Sequence, residues 1–208
     1  FYIRTSRPAT PIVTPPGYQF ALGKAACLRE GDDATIIANG VMVQAALDAA
    51  ALMEDQGVAC RVLNMATLKP LDRKAIIRAA VQVLPAAVPE FFRQGAESVA
   101  GISPEPDAER NQALAHLRSA SRGEHFLDLE LLGGRPLPEH RYEFVKLCAE
   151  AGLDPSQVGT VPYAVAEWTE KLALAFAQHR RWPQNTLVQA ECLIAAGHLA
   201  HYAQDLCQ

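Results

Sequence analysis

The sequence predicts a mixed fold: a short α/β fragment built on one βαβ unit, followed by an all-α helical domain. Residues 34–63 run as apolar stretch, periodic helix and second apolar stretch, which fits a βαβ unit of about 30 residues. No alternating strand pattern of useful length follows residue 80. Segments 139–151, 161–177 and 187–208 instead carry apolar residues at helical spacing. The expected domains are 1–80 and 81–208.

In order, Phe1 to Ser6 is a short β-rich run, and the Pro-rich connector RPATPIVTPPG after it excludes helix and central strand. Gln19 to Leu28 reads as a strand or a short helix. Ala34 to Ala38 (ATIIA) is a continuous apolar run closed by Asn39-Gly40. Val43, Ala46, Leu47, Ala50 and Met53 recur at helical spacing within Val41 to Gln56, and Gly57 supplies the stop. Val58 to Leu63 is the second apolar run, broken by Lys69-Pro70-Leu71-Asp72. Strand, helix and strand imply a right-handed crossover and a buried parallel pair.

Composition narrows the function classes. The chain has 208 residues, half of them hydrophobic, with a net charge of −4 and no Lys/Arg-rich run, so nothing electrostatic points to nucleic acid. No apolar stretch reaches the roughly 18–20 residues of a bilayer span, and the N-terminus lacks a signal-peptide layout. Localisation stays open, with cytoplasm favoured. Cys27, Cys60, Cys148, Cys192 and Cys207 are odd in number and scattered, which argues against a disulfide framework or a zinc ribbon.

The stretches YIRTSRP and ALGKAACLREGDDATIIANGVMVQAALDAAALMEDQGVACRVLNMATLKPLDRKAIIRAA resemble the C-terminal portion of transketolase-type thiamine-diphosphate enzymes. The resemblance covers about residues 1–80 and is most specific from Gly31 through Asp72. It implies the end of a pyrimidine-binding domain, a linker and the opening βαβ of the C-terminal domain. It also implies that the thiamine contacts, catalytic glutamate and metal-diphosphate motif lie upstream, so thiamine diphosphate enters only if a partner chain supplies its site. Arg7, in SRP, matches an arginine that contacts the sugar-phosphate substrate. The Gly-rich TGxxVTxEEH-like continuation does not follow Ala80.

From Val81 the character changes. Leu84-Pro85 and Val88-Pro89 punctuate a helical region running to about Ala100, followed by ISPEPDAER, a polar helix near Asn111 to Ser119, and the loop segment GEHFLDLELLGG. Glu139 to Ala151 is a helix stopped by Gly152. Val161 to Ala177 carries Val165, Trp168, Leu172 and Phe176 on one face.

The last stretch, Leu187 to Gln208, is apolar nearly all round except for Glu191, His198, His201 and Asp205. These four fall within roughly 80° of the helix circumference, and His201 and Asp205, four apart, lean over one surface spot. The stripe is either a solvent strip or half of a metal cage in a helical core. Asp107 in PEPD, and His125 and Asp128 in EHFLDLE, are the other candidates whose nitrogen and oxygen donors zinc accepts; singly, each also reads as a cap, loop or surface residue.

LPAAVPEFFRQGAESVAGISPEPDAER, EHFLDLELL, VGTVPYAVAEWTEKL and AGHLAHYAQDLCQ together resemble the zinc-dependent phospholipase C and single-strand-specific zinc nuclease family, all-α enzymes with a trinuclear zinc cluster. This resemblance covers about residues 81–208. It implies Asp107, His125, His201 and Asp205 as zinc ligands, with His198 as a core or supporting residue, and hydrolysis of a phosphate-ester substrate by zinc-bound hydroxide. The N-terminal Trp of that family has no counterpart here, and its further ligands lie beyond Gln208. The expected site is therefore incomplete, binding Zn²⁺ weakly with little or no hydrolysis. The two resemblances change over inside Lys74 to Val81, and both ends read as cut, so the chain reads as a chimera of two fragments. Three functions follow: a partial zinc-dependent phosphoesterase, a transketolase-type subunit fragment acting as a homo-oligomer or with a partner chain, or a helical interaction domain.

Overall fold

The computed structural model describes residues 9–109 and 113–206. The chain divides into two compact units, Phe1–Val88 and Pro89–Gln208. The described residues form one small mixed sheet of three strands and a mostly helical region.

The sheet comprises β1 (Ala26–Arg29), β2 (Ala34–Ala38) and β3 (Cys60–Asn64), in the order β1-β3-β2. β2 and β3 run parallel, Ala34 opposite Cys60 and Ala38 opposite Asn64, and are joined through α1 (Met42–Glu54). β1 pairs antiparallel with the other edge of β3, its register slipping between Cys27 and Arg29. Gly31 follows β1 where a Cβ would stand 2.3 Å from the Cys60 carbonyl carbon, so only glycine lets this link pass β3. Ala46 and Ala50 of α1 pack on Cys60 and Val62 to make the core.

The KPLD break has a structural task. Asp72 caps α2 (Arg73–Gln82), its Oδ1 accepting from Ala75 N at 3.1 Å. Its Oδ2 accepts from Ala25 N at 2.9 Å, tying the start of β1 to α2. The change-over expected inside Lys74 to Val81 falls within α2, which runs through it with Ile77, Ala79 and Val81 buried. The break between units lies instead at Val88/Pro89.

The second unit begins with short helices α3 (Glu90–Gln94), α4 (Ala96–Ile102), α5 (Glu105–Glu109) and α6 (Ala115–Ser121). EHFLDLELL forms two 3-10 turns, Arg122–His125 and Leu129–Leu132. α7 (Arg141–Glu150), α8 (Pro155–Val158), α9 (Val161–Arg181) and α10 (Thr186–Leu206) complete it. Leu132, Phe144, Cys148, Val158 and Tyr163 form one core cluster; Val161, Ala164 and Tyr202 form another where α9 meets α10. Gly197 lets α10 lie directly on α4, since a Cβ there would meet Ile102 Cγ2 at 2.5 Å. Among the described residues no helix is long and apolar enough to cross a membrane.

Candidate functional site

In the helical unit three elements converge on one spot. α10 contributes His201 and Asp205, one turn apart, with His201 Nε2 3.0 Å from Asp205 Oδ2. The 3-10 turn Arg122–His125 contributes His125, whose Nδ1 stands 2.9 Å from the same Oδ2 and 3.0 Å from His201 Nε2. The two imidazoles meet edge to face, centroids 5.0 Å apart. α5 contributes Asp107, Oδ1 lying 4.0 Å from His125 Nδ1. His201 is wholly buried and the Asp205 side chain is 8% exposed, whereas that of Asp107 is 47% exposed and closes the solvent side.

The backbone that aims His125 is held from both sides. Thr160 N donates to Gly123 O at 2.6 Å and Val161 N to Phe126 O at 3.3 Å. Gly159 makes this approach feasible: its φ is +94°, and a Cβ would sit 2.1 Å from Phe126 O.

Four polar side chains whose N and O atoms face one another in a largely dry pocket require a shared proton or a cation between them. Two facing imidazole nitrogens cannot both carry a proton. A divalent ion bound at about 2.0–2.1 Å in tetrahedral geometry needs donors about 3.3 Å apart. The 2.9–3.0 Å triangle of His125, His201 and Asp205 is within a few tenths of that spacing, while Asp107 Oδ1 stands farther off, 4.0 Å from His125. His125, His201 and Asp107 offer ligand atoms all within 4.8 Å of one another. The His125 Nε2, pointing away, is buried without a hydrogen-bond partner among the described residues.

Of the four sequence-predicted candidates, Asp107, His125 and His201 come within ligand distance of one another, and Asp205 lies against the two imidazoles. The stripe on α10 is not a solvent strip at this end. Higher up the helix, His198 is buried outside the cluster, stacked on Trp168 with centroids 4.2 Å apart and its Nδ1 3.0 Å from Ile194 O. Glu191 and Asp128 are exposed. Arg7, the expected sugar-phosphate contact, lies outside the described residues. Sequence reasoning missed Glu124, Arg141 and Tyr202, which flank the cluster; the one signal was a run of polar residues, Glu124-His125 and His201-Tyr202, in otherwise packed segments.

In the sheet unit, β2 pairs only with β3 among the described residues, and beside it lies a groove of about 630 Å³. Ile36, Ile37, Met42, Leu68, Leu71 and Ile76 line it, with Asn39 the one polar side chain. A groove with no cationic side chain and no carboxylate offers nothing to a diphosphate or its metal ion, so thiamine diphosphate does not fit here.

Residues 23–90 match the model of the transketolase C-terminal domain. A 6-deoxy-6-sulfo-D-fructose transketolase subunit from a Clostridium species is 44% identical over 81 residues, which is 39% of this chain and 25% of that protein. A human transketolase-like protein 2 is 38% identical over 115 residues, 51% of this chain and 18% of that protein. A solved split-gene transketolase, described as an inactive β4 tetramer, is 44% identical, covering 34% of this chain and 24% of that one, with a TM-score of 0.33. The chain thus spans about a quarter or less of the relatives it matches.

These findings overturn the expectation that the protein is a partial zinc-dependent phosphoesterase. The family match and the curated relatives are transketolase-type, and nothing among them supports a phospholipase C or nuclease identity for residues 81–208. Among the described residues, Asp107, His125 and His201 form the one group whose ligand atoms all lie within 4.8 Å of one another.

Proposed function

We propose that the sheet unit is the C-terminal-domain portion of a transketolase-type thiamine-diphosphate enzyme, packing against a chain that carries the cofactor site. The match over residues 23–90 carries this reading. The mixed three-stranded sheet is consistent with such a domain, and the apolar groove beside an edge strand is the kind of surface a partner chain covers. That partner would hold thiamine diphosphate, which would supply the carbanion chemistry of the reaction. This chain contributes burial and geometry, with Arg7 as the residue that would reach a sugar phosphate. Sedimentation velocity tests it. Mixing with a chain carrying the upstream thiamine-binding domains should give a faster-sedimenting complex, which Ile37→Lys in the groove disrupts; no association contradicts the reading.

A second reading is favoured by the cluster itself. Asp107, His125, His201 and Asp205 hold one divalent cation, and two imidazoles with two carboxylates suit Zn²⁺. The donor spacing supports it. Zn²⁺ should raise the melting temperature of the wild-type chain and leave that of His201→Ala unchanged. Equal shifts in both, or none in either, contradict it.

A further inference from the structure

We propose that Tyr202 and Arg141 position His125 for cation binding by clamping its neighbour Glu124, an inference that rests on the cation-site reading above. Glu124 sits on the 3-10 turn immediately before His125. Tyr202 of α10 donates its hydroxyl to Glu124 Oε2 at 3.2 Å. Arg141 of α7 places Nη2 3.1 Å from Glu124 Oε1. The guanidinium is itself fixed from α9, with Nε donating to Glu167 Oε1 at 2.6 Å and Nη1 to Thr160 Oγ1 at 3.4 Å. Thr160 also donates its backbone N–H to Gly123 O, so the clamp closes on both sides of the turn.

The consequence is geometric. A 3-10 turn of four residues has little rigidity of its own. Glu124 and His125 are consecutive, so fixing one side chain to α7 and α10 fixes the direction in which the other leaves the backbone. Tyr202 follows His201 directly, so one helix holds a ligand and also the group that aims the facing ligand. The Tyr202 ring also touches both imidazoles, with centroids 5.5 Å from His125 and 5.2 Å from His201. Tyr202→Phe retains those ring contacts and removes only the hydrogen bond.

The test is a Co²⁺ titration of the whole chain, read as the dissociation constant and as the shape of the visible absorption band, which reports ligand geometry. Partners one step removed from a metal ligand typically contribute about 10–100-fold in affinity. Tyr202→Phe should weaken Co²⁺ binding at least tenfold and alter the band. Glu124→Ala should do more, and Glu124→Gln, which retains an acceptor for Tyr202, should recover part of the loss. Tyr163→Phe is the control, because its hydroxyl is likewise held, by Pro138 O at 2.7 Å, but away from the cluster. Wild-type binding that Tyr202→Phe leaves intact, or that Tyr163→Phe reduces equally, overturns the clamp alone. A wild-type chain that binds no Co²⁺ overturns the cation site and the clamp together.

Discussion

The sheet unit and the helical unit present opposite kinds of unfinished surface. Beside β2 the chain offers an apolar groove, lined by one polar side chain and no charged one, and a strand edge that is unpaired among the described residues. Beside α10 it offers Asp107, His125 and His201 within ligand distance of one another, with Asp205 against the imidazoles; three of these four side chains are wholly or nearly buried. The first surface gains from covering by another polypeptide, because apolar area and backbone hydrogen bonds are what it has to give. The second offers nitrogen and oxygen donors that a shared proton or a cation holds together. The family-model match speaks only to the first. The residues matched by the transketolase C-terminal model end at 90, before the first candidate ligand at Asp107.

Experiments that break this comparison differ in size. Phe144→Ala empties the centre of the main helical core cluster and should cost about 3–5 kcal/mol, read by chemical denaturation. A cost below about 1 kcal/mol would mean that this cluster is not the core. His201→Ala should abolish the ligand-linked stabilisation of the helical unit, which at a hundredfold excess of Zn²⁺ over its dissociation constant is about 2.7 kcal/mol. A retained shift would place the cation elsewhere. Val62→Ala, in the middle of β3 and wholly buried, removes two methyl-sized groups and should cost about 1.5–2 kcal/mol with no change in Zn²⁺ response.

The smallest effect is electrostatic. Asp154 caps α8, its carboxylate accepting from Ser156 N and Oγ, both at 2.8 Å, and these hydrogen bonds hold its pKa below the ordinary value. A carboxyl whose folded pKa is lowered stabilises the fold above its unfolded pKa and loses that contribution as pH falls through the folded value. The melting temperature should therefore decline slightly as pH drops from about 5 through the carboxylate range near 4. Asp154→Asn, which keeps the cap without the charge, should flatten that part of the decline. An unchanged slope contradicts the assignment.

Local patterns carried the sequence reading as far as local patterns reach. The βαβ from Ala34 to Asn64 was legible because α1 and both parallel strands announce themselves within one apolar period each. β1 was not, and Gln19 to Leu28 remained strand or short helix. Four residues with a register slip acquire their structure from β3, more than 30 positions away. The polar helix expected at 111–119 lies at Ala115–Ser121, since Leu114 precedes its first turn without a side-chain cap and no sequence signal marks the start. At the cluster, His201 and Asp205 were legible from i, i+4 spacing alone. His125 and Asp107 reach them from 76 and 94 positions upstream in His201's numbering, through 3-10 and single-turn elements that periodicity cannot place. Those two came only with a resemblance to zinc phosphoesterases; the structure brings them near His201, while the function that resemblance implied for the chain was overturned.

The most direct test of the central claim is isothermal titration of thiamine diphosphate with Mg²⁺ into this chain, before and after adding a chain that carries the upstream thiamine-binding domains. No heat from the chain alone and saturable binding by the mixture, tighter than by the partner alone, is the expected result. Stoichiometric binding by this chain alone, or a partner affinity that its addition leaves unchanged, would contradict a transketolase-type role exercised through a partner.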